Sequence, residues 1–521
     1  MKPNTLNHPG RICWPALLAV VALAGPIAAL LPACAKLGPD FEPPIAEVSQ
    51  NWLDGNHPAL KRGEFRNWWQ LFQDPVLDGL IETAYGQNLD LRAAAIRILE
   101  SRAKLGIAKG QLFPQKQELN LGLFHNQHSG NEPNFTTFDR YYTSFGFGLD
   151  ALWEVDLWGK FRRGIESSEA MLAVSELDYD DILVSLTAEV AARYTQIRTF
   201  EQRLRLAQNN VDLQQGSLRI AEAQYRNGIA TELDVQQAKS LLHATKSLLT
   251  SLHSGLRQAQ NALAVLLGLP PDRLSERLNA PGEIPRAPAE VVVGIPADMV
   301  RRRPDIRREE MRAAAQSAMI GVTKADLFPR LSLQGSIGAL AGSTQGVDAF
   351  DVLGSQAMAA KIGPTITWPI LQYGRLKNNV RVQDAKFQEQ LAKYRQTVLT
   401  ALQEAEDAMV GYLKSSEQIG DLSASVDASQ RAVTIALSQY QEGIEDYIKV
   451  LNAQQFLVQQ QDKLTHAQGD VAGYLIALYK ALGGGWEIRE GRPVLPGELL
   501  EQMAQRSDWG ELLETGSAAE Q

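Results

Sequence analysis

A seven-residue repeat of apolar positions runs along two long stretches of the chain. In the first stretch, which lacks proline, the repeated positions are Leu183, Val190, Ile197, Leu204, Val211, Leu218 and Tyr225. In the second they are Val398, Ala405, Tyr412, Ile419, Val426, Val433 and Tyr440. A strict seven-residue period keeps one stripe against a neighbouring helix only when the helices supercoil. Both stretches are therefore predicted to be long packed helices, each of roughly 100 Å.

The two stretches belong to a duplication in which equivalent positions are separated by one constant offset along the chain. Leu112-Phe113-Pro114 returns as Leu327-Phe328-Pro329, and Trp153 returns as Trp368. We divide the chain into repeats at 76–270 and 291–485, a segment at 34–75, a linker at 271–290 and a tail at 486–521. Each repeat is expected to hold strands (about 114–158 and 329–373) followed by a long helix and a helical hairpin (159–268 and 374–483).

Alternating apolar residues predict two β-strands in each repeat. The alternating sets are Leu119, Leu121 and Leu123; Phe145, Phe147 and Leu149; Leu331, Leu333 and Ile337; and Ile362, Ile366 and Trp368. Segments of about ten alternating residues with aromatics near their ends are typical of membrane-spanning barrels. Four strands cannot close such a barrel, and an open edge is not tolerated in lipid, so several chains must share one. A water-filled pore favours three or more chains, and the residues alone do not choose between three and four.

The N-terminal segment, 1–34, has the pattern of a bacterial lipoprotein signal. Lys2 and Arg11 are followed by an uncharged apolar run that ends in Leu-Pro-Ala-Cys. We expect cleavage after residue 33 and acylation of Cys34, with an uncleaved membrane anchor as the alternative. Cleavage would change the formal net charge from −9 to −11 and leave Cys34 as the only cysteine.

Charge and motif content exclude two broad classes of function. No basic stripe stands out, which argues against nucleic-acid binding; the one dense basic cluster, at 301–310, is expected to be a solvated helix start with Pro304 in its first turn. His125 and His128 lack a third metal ligand and lie in an expected loop. No phosphate loop, nucleophile elbow or cysteine-based zinc site is present. We therefore predict no catalytic residue, no metal site and no cofactor.

Four motifs in order resemble TolC-like outer-membrane efflux channels, and most closely their NodT-type lipoprotein branch. They are GPDFEPP (38–44), WWQLFQDPVLDGLIETAYGQNLDLRAA (68–94), IPADMVRRRPDIRREE (295–310) and GPTITWPILQYGRLKNNVRVQDA (363–385). The resemblance covers about Cys34 to Trp486. It implies a mainly α fold with a small β part. Three chains would form a 12-strand transmembrane β-barrel continuous with a 12-helix periplasmic α-barrel.

The resemblance also implies a function. The homotrimer would be anchored in outer-membrane lipid and extend into the periplasm. It would passively conduct small molecules, such as drugs or other toxic compounds, to the exterior. These would arrive from a periplasmic adaptor (membrane fusion) protein and an inner-membrane pump of the resistance-nodulation-division (RND) class.

Two similar bends, at 226–232 and 441–447, would then be the periplasmic tips. Gly228 and Gly443 suit turns that need a positive φ, and Thr231 can cap the helix that follows the first bend. By resemblance, Tyr440 helps to latch neighbouring hairpins shut, and Tyr225 does so to a lesser degree.

The residues after the second bend match the family's constriction with one departure. Ile448 stands where the family has an apolar ring, whereas Asn452 stands where it has an acidic ring. Glu445, Asp446 and Asp234 are near in sequence and could supply negative charge, or could be ordinary solvated tip residues.

Two other functions remain open at this stage. A lipid-anchored periplasmic coiled-coil scaffold or adaptor would share the signal, the heptads and the duplication, but it does not explain the strands. A type I protein-secretion channel would share the architecture, although the lipoprotein signal and NodT-like motifs favour small-molecule efflux. The acidic, weakly helical tail either wraps the helical barrel or is disordered.

Overall fold

The computed structural model describes residues 36–63, 66–129, 131, 140–278, 281–288, 290–343 and 348–517. The signal segment 1–33 and the acylation proposed at Cys34 lie outside these residues. The described chain is mainly helical with a small β part, as predicted. No helix in these ranges is long and apolar enough to cross a membrane.

The helices and strands are numbered in chain order. The helices are α1 (Pro75–Gln87), α2 (Leu89–Gly110), α3 (Lys160–Arg226), α4 (Glu232–Leu266), α5 (Ser275–Leu278), α6 (Pro296–Arg302), α7 (Pro304–Ala325), α8 (Arg375–Gln441), α9 (Tyr447–Ala481) and α10 (Gly497–Arg506). The strands are β1 (Leu60–Arg62), β2 (Lys116–Gln127), β3 (Tyr141–Val155), β4 (Val291–Val293), β5 (Arg330–Gly342) and β6 (Met358–Thr367). Short 3₁₀ turns occupy Trp68–Phe72, Pro271–Arg273, Asp351–Leu353, Trp486–Arg489 and Gly510–Ser517.

The duplication is visible in the helix boundaries and in the contacts at the helix ends. Helices α2, α3 and α4 have the same lengths as α7, α8 and α9, and all three pairs are separated by the offset read from the sequence. Asn88 Nδ2 donates to the carbonyl of Leu266, the last residue of α4, at 2.9 Å. At the equivalent position Arg303 Nη1 donates to the carbonyl of Ala481, the last residue of α9, at 2.8 Å. Different side chains thus satisfy the same terminal carbonyl in both repeats.

The chain divides into two compact units, each built from segments of both repeats. The first contains 36–42, 104–169 and 314–388, and its main feature is an antiparallel sheet with the order β2-β3-β5-β6. In this sheet Leu149 pairs with both Leu119 and Ile337, and Ile337 pairs with Ala360. Residues paired directly across antiparallel strands share a face. The alternating positions predicted for the four strands therefore lie on one side of a single sheet, except Trp368, which follows the last residue of β6.

That side of the sheet is mostly apolar, although Gln117, His125 and Thr143 also lie on it. It carries Leu119, Leu121 and Leu123 of β2; Phe145, Phe147, Leu149, Ala151, Trp153 and Val155 of β3; Leu331, Leu333, Gly335, Ile337, Ala339 and Ala341 of β5; and Met358, Ala360, Ile362, Pro364 and Ile366 of β6. The other side includes Glu118, Asn120, Asp150, Gln334 and Lys361. We call the first side the apolar sheet face. Much of it is exposed in the single chain, and Ile362 is 93% exposed.

The segment that follows Cys34 is fixed within the first unit by a buried arginine. The guanidinium of Arg163 donates to the carbonyls of Leu37 (2.9 Å) and Gly38 (3.2 Å). It also forms ion pairs with Asp40 and Glu166, each at 2.9 Å. These contacts hold residues 37–40, the first described part of the chain, against α3.

The second unit is helical and corrects the expectation for the basic cluster at 301–310. Helix α7 begins at Pro304 as predicted, but Arg303 is only 8% exposed. It forms ion pairs with Asp305 at 2.7 Å and Glu404 at 2.8 Å. The expectation of a solvated cluster was wrong here because these carboxylates compensate the charge that is removed from water.

From Pro43 onward, the segment 34–75 belongs to the second unit, and so does the tail. Segment 34–75 includes β1, which pairs in parallel with β4, a pairing that was not predicted. In the tail, Leu495 and Met503 are buried in the main hydrophobic core, and Arg489 Nη2 bonds Asp180 Oδ2 at 2.9 Å. Residues 486–513 of the tail are therefore packed rather than disordered.

Candidate functional site

The two bends between long helices have the same backbone geometry. At the first, the Ile229 amide donates to the Gln224 carbonyl at 2.9 Å, and Gly228 has φ 73°. At the second, the Ile444 amide donates to the Gln439 carbonyl at 2.9 Å, and Gly443 has φ 72°. This six-to-one bond with a left-handed glycine is the Schellman ending of an α-helix. The positive φ predicted for both glycines is confirmed.

The side chains around the two bends differ. Tyr440 is 4% exposed, whereas Tyr225, its counterpart in the first repeat, is 46% exposed. The ring of Tyr440 meets that of Tyr447 edge to face, with 5.2 Å between centroids. Both tyrosines belong to a cluster that includes Val235 and Ala238 of α4. Aromatic pairs of this geometry add about 0.5–1.5 kcal/mol beyond the area that they bury. We call this group the tyrosine cluster.

The Tyr440 hydroxyl is held by packing alone. Its Oη is buried and has no hydrogen-bond partner among the described residues. Burial, and then the negative charge of Asp234, raise the pKa of Tyr440 to about 12, and burial, with contributions from Tyr440 and Asp234, raises the pKa of Tyr447. Both hydroxyls are therefore neutral in the physiological pH range.

Asp234 forms part of the N-terminal cap of α4. Its Oδ2 accepts hydrogen bonds from the backbone amide and the hydroxyl of Thr231, both at 2.9 Å. The Thr231 hydroxyl in turn accepts from the Asp234 amide, which completes a capping box. The predicted cap by Thr231 is thus present. At the second bend the N-cap residue is Asp446, whose side chain makes no capping bond.

The other predicted gate residues face outward. Ile448 is 40% exposed, and Asn452, one turn further along α9, is exposed as well. A spacing of four places both on one side of the helix, opposite the buried side that contains Val450 and Leu451. Glu445 and Asp446 are exposed just before α9 begins. The structure therefore separates a buried tyrosine cluster from an exposed stripe and does not bring all the predicted residues together.

Sequence reasoning missed a row of polar contacts that lead toward the tyrosine cluster. On α3 the row is Arg203, Asn210, Ser217 and Gln224, at steps of seven. Their partners in the second repeat are Asp462 (2.7 Å), Gln461 (2.8 Å), Gln454 (2.6 Å) and the Tyr440 carbonyl (2.8 Å). We call this row the polar seam.

The polar seam had a signal in the sequence. Each of its α3 residues comes directly before a member of the apolar heptad stripe. The seam joins α3 to the second repeat by side-chain hydrogen bonds and one ion pair, each worth about 1 kcal/mol or a little more.

The two histidines singled out from the sequence contact side chains of β3. His125 lies in β2 rather than in the expected loop, because its backbone pairs with Thr143, and its Nδ1 is 3.1 Å from the Thr143 hydroxyl. His128, just beyond β2, stacks on Tyr142 with 5.5 Å between ring centroids. In the described residues we find no group of three potential metal ligands.

The chain is similar to proteins that carry molecules across the bacterial outer membrane. A family model described as outer membrane efflux protein matches residues 80–269 and again 295–484. The two matched ranges are related by the same offset as the duplicated motifs and helices. The pyoverdine export outer membrane protein OpmQ of Pseudomonas putida is 33% identical over 81% of this chain and 88% of its own length. Nodulation protein T of Rhizobium leguminosarum bv. trifolii is 29% identical over 88% of this chain and 97% of its own.

A solved structure of an outer-membrane channel also matches the chain. The outer-membrane channel OprN matches with a TM-score of 0.80 and 33% sequence identity, covering 87% of this chain and 100% of that one. The toluene efflux pump outer membrane protein TtgF of Pseudomonas putida, a sequence relative, is 30% identical over 88% of this chain and 96% of its own length. Similarity of this extent over most of each length covers both helical hairpins and the four strands.

Proposed function

Since the chain belongs to the outer membrane efflux protein family, and is an outer-membrane channel component rather than an enzyme, we propose that it is the outer-membrane channel of a tripartite efflux system. It would work as a homotrimer and conduct small molecules passively. A periplasmic adaptor protein and an inner-membrane RND-type pump would supply the substrates and the energy. The observation that carries this proposal is the apolar sheet face.

The apolar sheet face has the extent that a membrane strand needs. From Phe145 to Val155, β3 advances about 33 Å at roughly 3.3 Å per residue. At a tilt of about 40° this covers roughly 25 Å along the membrane normal, which matches the apolar band of outer-membrane barrels. Strands β2 and β6 are the sheet edges and need partners in lipid. Three chains would supply twelve strands in the membrane and, with four long helices each, twelve helices in the periplasm. For the repeats, linker and tail we propose the bounds given from the sequence.

The gate of this channel is proposed to lie at the second bend. There Tyr440 and Tyr447 clamp the α8–α9 hairpin onto α4, while Ile448 would present an apolar ring to the lumen. Tyr225, exposed at the first bend, has the weaker role. The glycine turns at both bends would form the periplasmic tips.

The electrostatic part of the gate would differ from the acidic ring of the family pattern. Asn452 supplies an uncharged ring, and the exposed Glu445 and Asp446 would supply negative charge at the entrance. Asp234 serves first as a capping residue. Acylation of Cys34 would anchor each chain, and the contacts of Arg163 with residues 37–40 would tie that anchor to α3.

The two other functions are less well supported. A periplasmic scaffold would have no use for a four-stranded sheet with one largely apolar and mostly exposed side. A type I secretion channel shares the fold, but the relatives described above are named for pyoverdine export, toluene efflux and nodulation.

The proposal can be tested in the native host by deleting the gene. Deletion should raise the cellular accumulation of small fluorescent dyes, and plasmid-borne wild-type protein should reverse this rise. The proteins released into the medium should be unchanged. Loss of one secreted protein with unchanged dye accumulation would instead indicate the type I secretion function.

A further inference from the structure

The connection between β5 and β6 folds back over the apolar sheet face. Its described part, residues 348–357, includes the 3₁₀ turn Asp351–Leu353. Val352 is 2% exposed and packs against Ala339 and Ala341 of β5, with Phe145 of β3 beside them. All three contacted residues belong to the apolar sheet face. The two alanines leave room for Val352 that larger side chains would fill.

This turn is apolar on both of its sides. Ala349 and Val352, three residues apart, are buried, and Val352 packs on the sheet. Phe350 and Leu353, also three residues apart, point outward and are 71% and 84% exposed. Residues three apart in a 3₁₀ turn lie one above the other, so Phe350 and Leu353 form one apolar patch rather than two scattered exposed residues.

Hydrogen bonds within the connection hold these positions. Asp351 Oδ2 accepts from the Asp348 amide at 3.0 Å, and Asp348 Oδ1 accepts from the Phe350 amide at 3.2 Å. The Leu340 amide of β5 donates to the Ala357 carbonyl at 3.0 Å. Phe350 lies near Phe145, with 6.1 Å between ring centroids. The outward direction of Phe350 and Leu353 is thus built into the turn.

We propose that Phe350 and Leu353 insert among the acyl chains of the outer leaflet and anchor this end of the sheet in the membrane. The inference rests on the proposed function, in which the apolar sheet face meets lipid. Helices α2 and α3 join β2 and β3 at the opposite end of the sheet, so the turn lies at the outer end if the helices are periplasmic. Exposed aromatic and aliphatic residues at this level are typical of membrane interfaces.

A neighbouring chain is a less suitable occupant than lipid. In the order β2-β3-β5-β6, other chains can join the sheet only at β2 and β6. The turn packs over β3 and β5, the two central strands. Phe350 and Leu353 therefore project from the middle of the sheet, away from both edges.

The test uses nitroxide labels on cysteines introduced one at a time into the full chain reconstituted in lipid. The sequence has only Cys13, in the signal, and Cys34, at the proposed acylation site, and unsubstituted protein serves as the labelling blank. The variants are Phe350→Cys and Leu353→Cys, with Ile362→Cys as the reference on the apolar sheet face and Ser336→Cys as the reference on the polar side. Power saturation with oxygen and with a water-soluble nickel chelate then gives the accessibility ratio.

We expect the oxygen-to-nickel ratio at 350 and 353 to exceed that at 336 clearly and to lie below that at 362, because Ile362 is nearer the middle of its strand and therefore deeper in the bilayer. If 362 has a high ratio but 350 and 353 resemble 336, the turn faces water and the inference is overturned while the channel stands. If 350 and 353 are closed to both reagents, a protein partner covers them and lipid insertion is wrong. A low ratio at 362 itself would contradict the membrane sheet, and with it the proposed function.

Discussion

Replacing Tyr440 by phenylalanine and by alanine separates two ways in which this residue could hold the second bend closed. If the hydroxyl forms the latch, removing it should release the bend. If packing forms the latch, only loss of the ring should matter. The structure favours packing, because the hydroxyl is buried without a partner among the described residues, whereas the ring contacts Tyr447.

The two substitutions are expected to change stability by clearly different amounts. An aromatic residue replaced by alanine in a packed site costs about 3–5 kcal/mol. A buried hydroxyl without a partner contributes no favourable hydrogen bond, so Tyr440→Phe should be neutral or slightly stabilising. Tyr225→Ala, the matched control at the exposed counterpart, should cost about 0.5 kcal/mol or less.

Amide hydrogen exchange over residues 442–451, followed by mass spectrometry, measures the local opening. When the bend closes faster than its open form exchanges, the exchange rate follows the opening equilibrium. A loss of about 3 kcal/mol in the free energy of opening then raises the exchange rate by roughly two orders of magnitude. We expect this for Tyr440→Ala and no change for Tyr440→Phe or Tyr225→Ala. Acceleration by Tyr440→Phe equal to that by Tyr440→Ala would show that the hydroxyl is the latch and refute this reasoning.

Three further predictions concern separate features. Gly443→Ala should lower the free energy of unfolding by about 1–2 kcal/mol through backbone strain alone, because its Cβ would meet no atom within 4 Å. The control Gly420→Ala, inside α8, should raise it by about 1 kcal/mol. Equal thermal unfolding midpoints for the two variants would contradict this prediction. Burial raises the pKa of Asp180 to about 6 despite its bonds to Arg489, so the folded protein binds the extra proton between about pH 4 and pH 6. The free energy of unfolding should therefore fall by at most about 3 kcal/mol as the pH rises through that window, and Asp180→Asn should lose this dependence; an unchanged pH profile would argue against it. Asn452→Asp should raise the cation-to-anion permeability ratio, and an unchanged ratio would place this residue outside the pore.

The sequence was informative where structure depends on periodicity. The heptads and the constant offset between the repeats predicted both pairs of long helices, because a packed helix must repeat its apolar stripe. The alternation around Leu149 and Ile337 predicted strands, because one side of a sheet has a period of two. The four strands form one sheet because β3 of the first repeat pairs with β5 of the second. A local sequence pattern does not predict this pairing.

Contacts between distant residues were not predictable in the same way. Arg303 looks solvated in its local sequence, and its burial depends on Glu404 and on the Ala481 carbonyl. The three-residue strands β1 and β4 are too short to give a pattern. Each becomes a strand only through pairing with the other.

The difference between the two bends was also hidden by the duplication. Tyr225 and Tyr440 occupy equivalent positions, yet only Tyr440 is buried. The residue that packs on it, Tyr447, corresponds to Glu232 in the first repeat. A carboxylate at that position is better placed at the first turn of α4, near the positive end of the helix dipole, than against an aromatic ring.

Planar-bilayer conductance of the purified, folded oligomer tests most directly whether this protein is a channel gated at its second bend. The wild type should be compared with Ile448→Ser and with Leu233→Ser, the equivalent change at the first bend. We expect low conductance for the wild type and for Leu233→Ser, and a large increase for Ile448→Ser. Equal increases in both variants would contradict a gate at the second bend, and the absence of conductance from all three would contradict the channel itself.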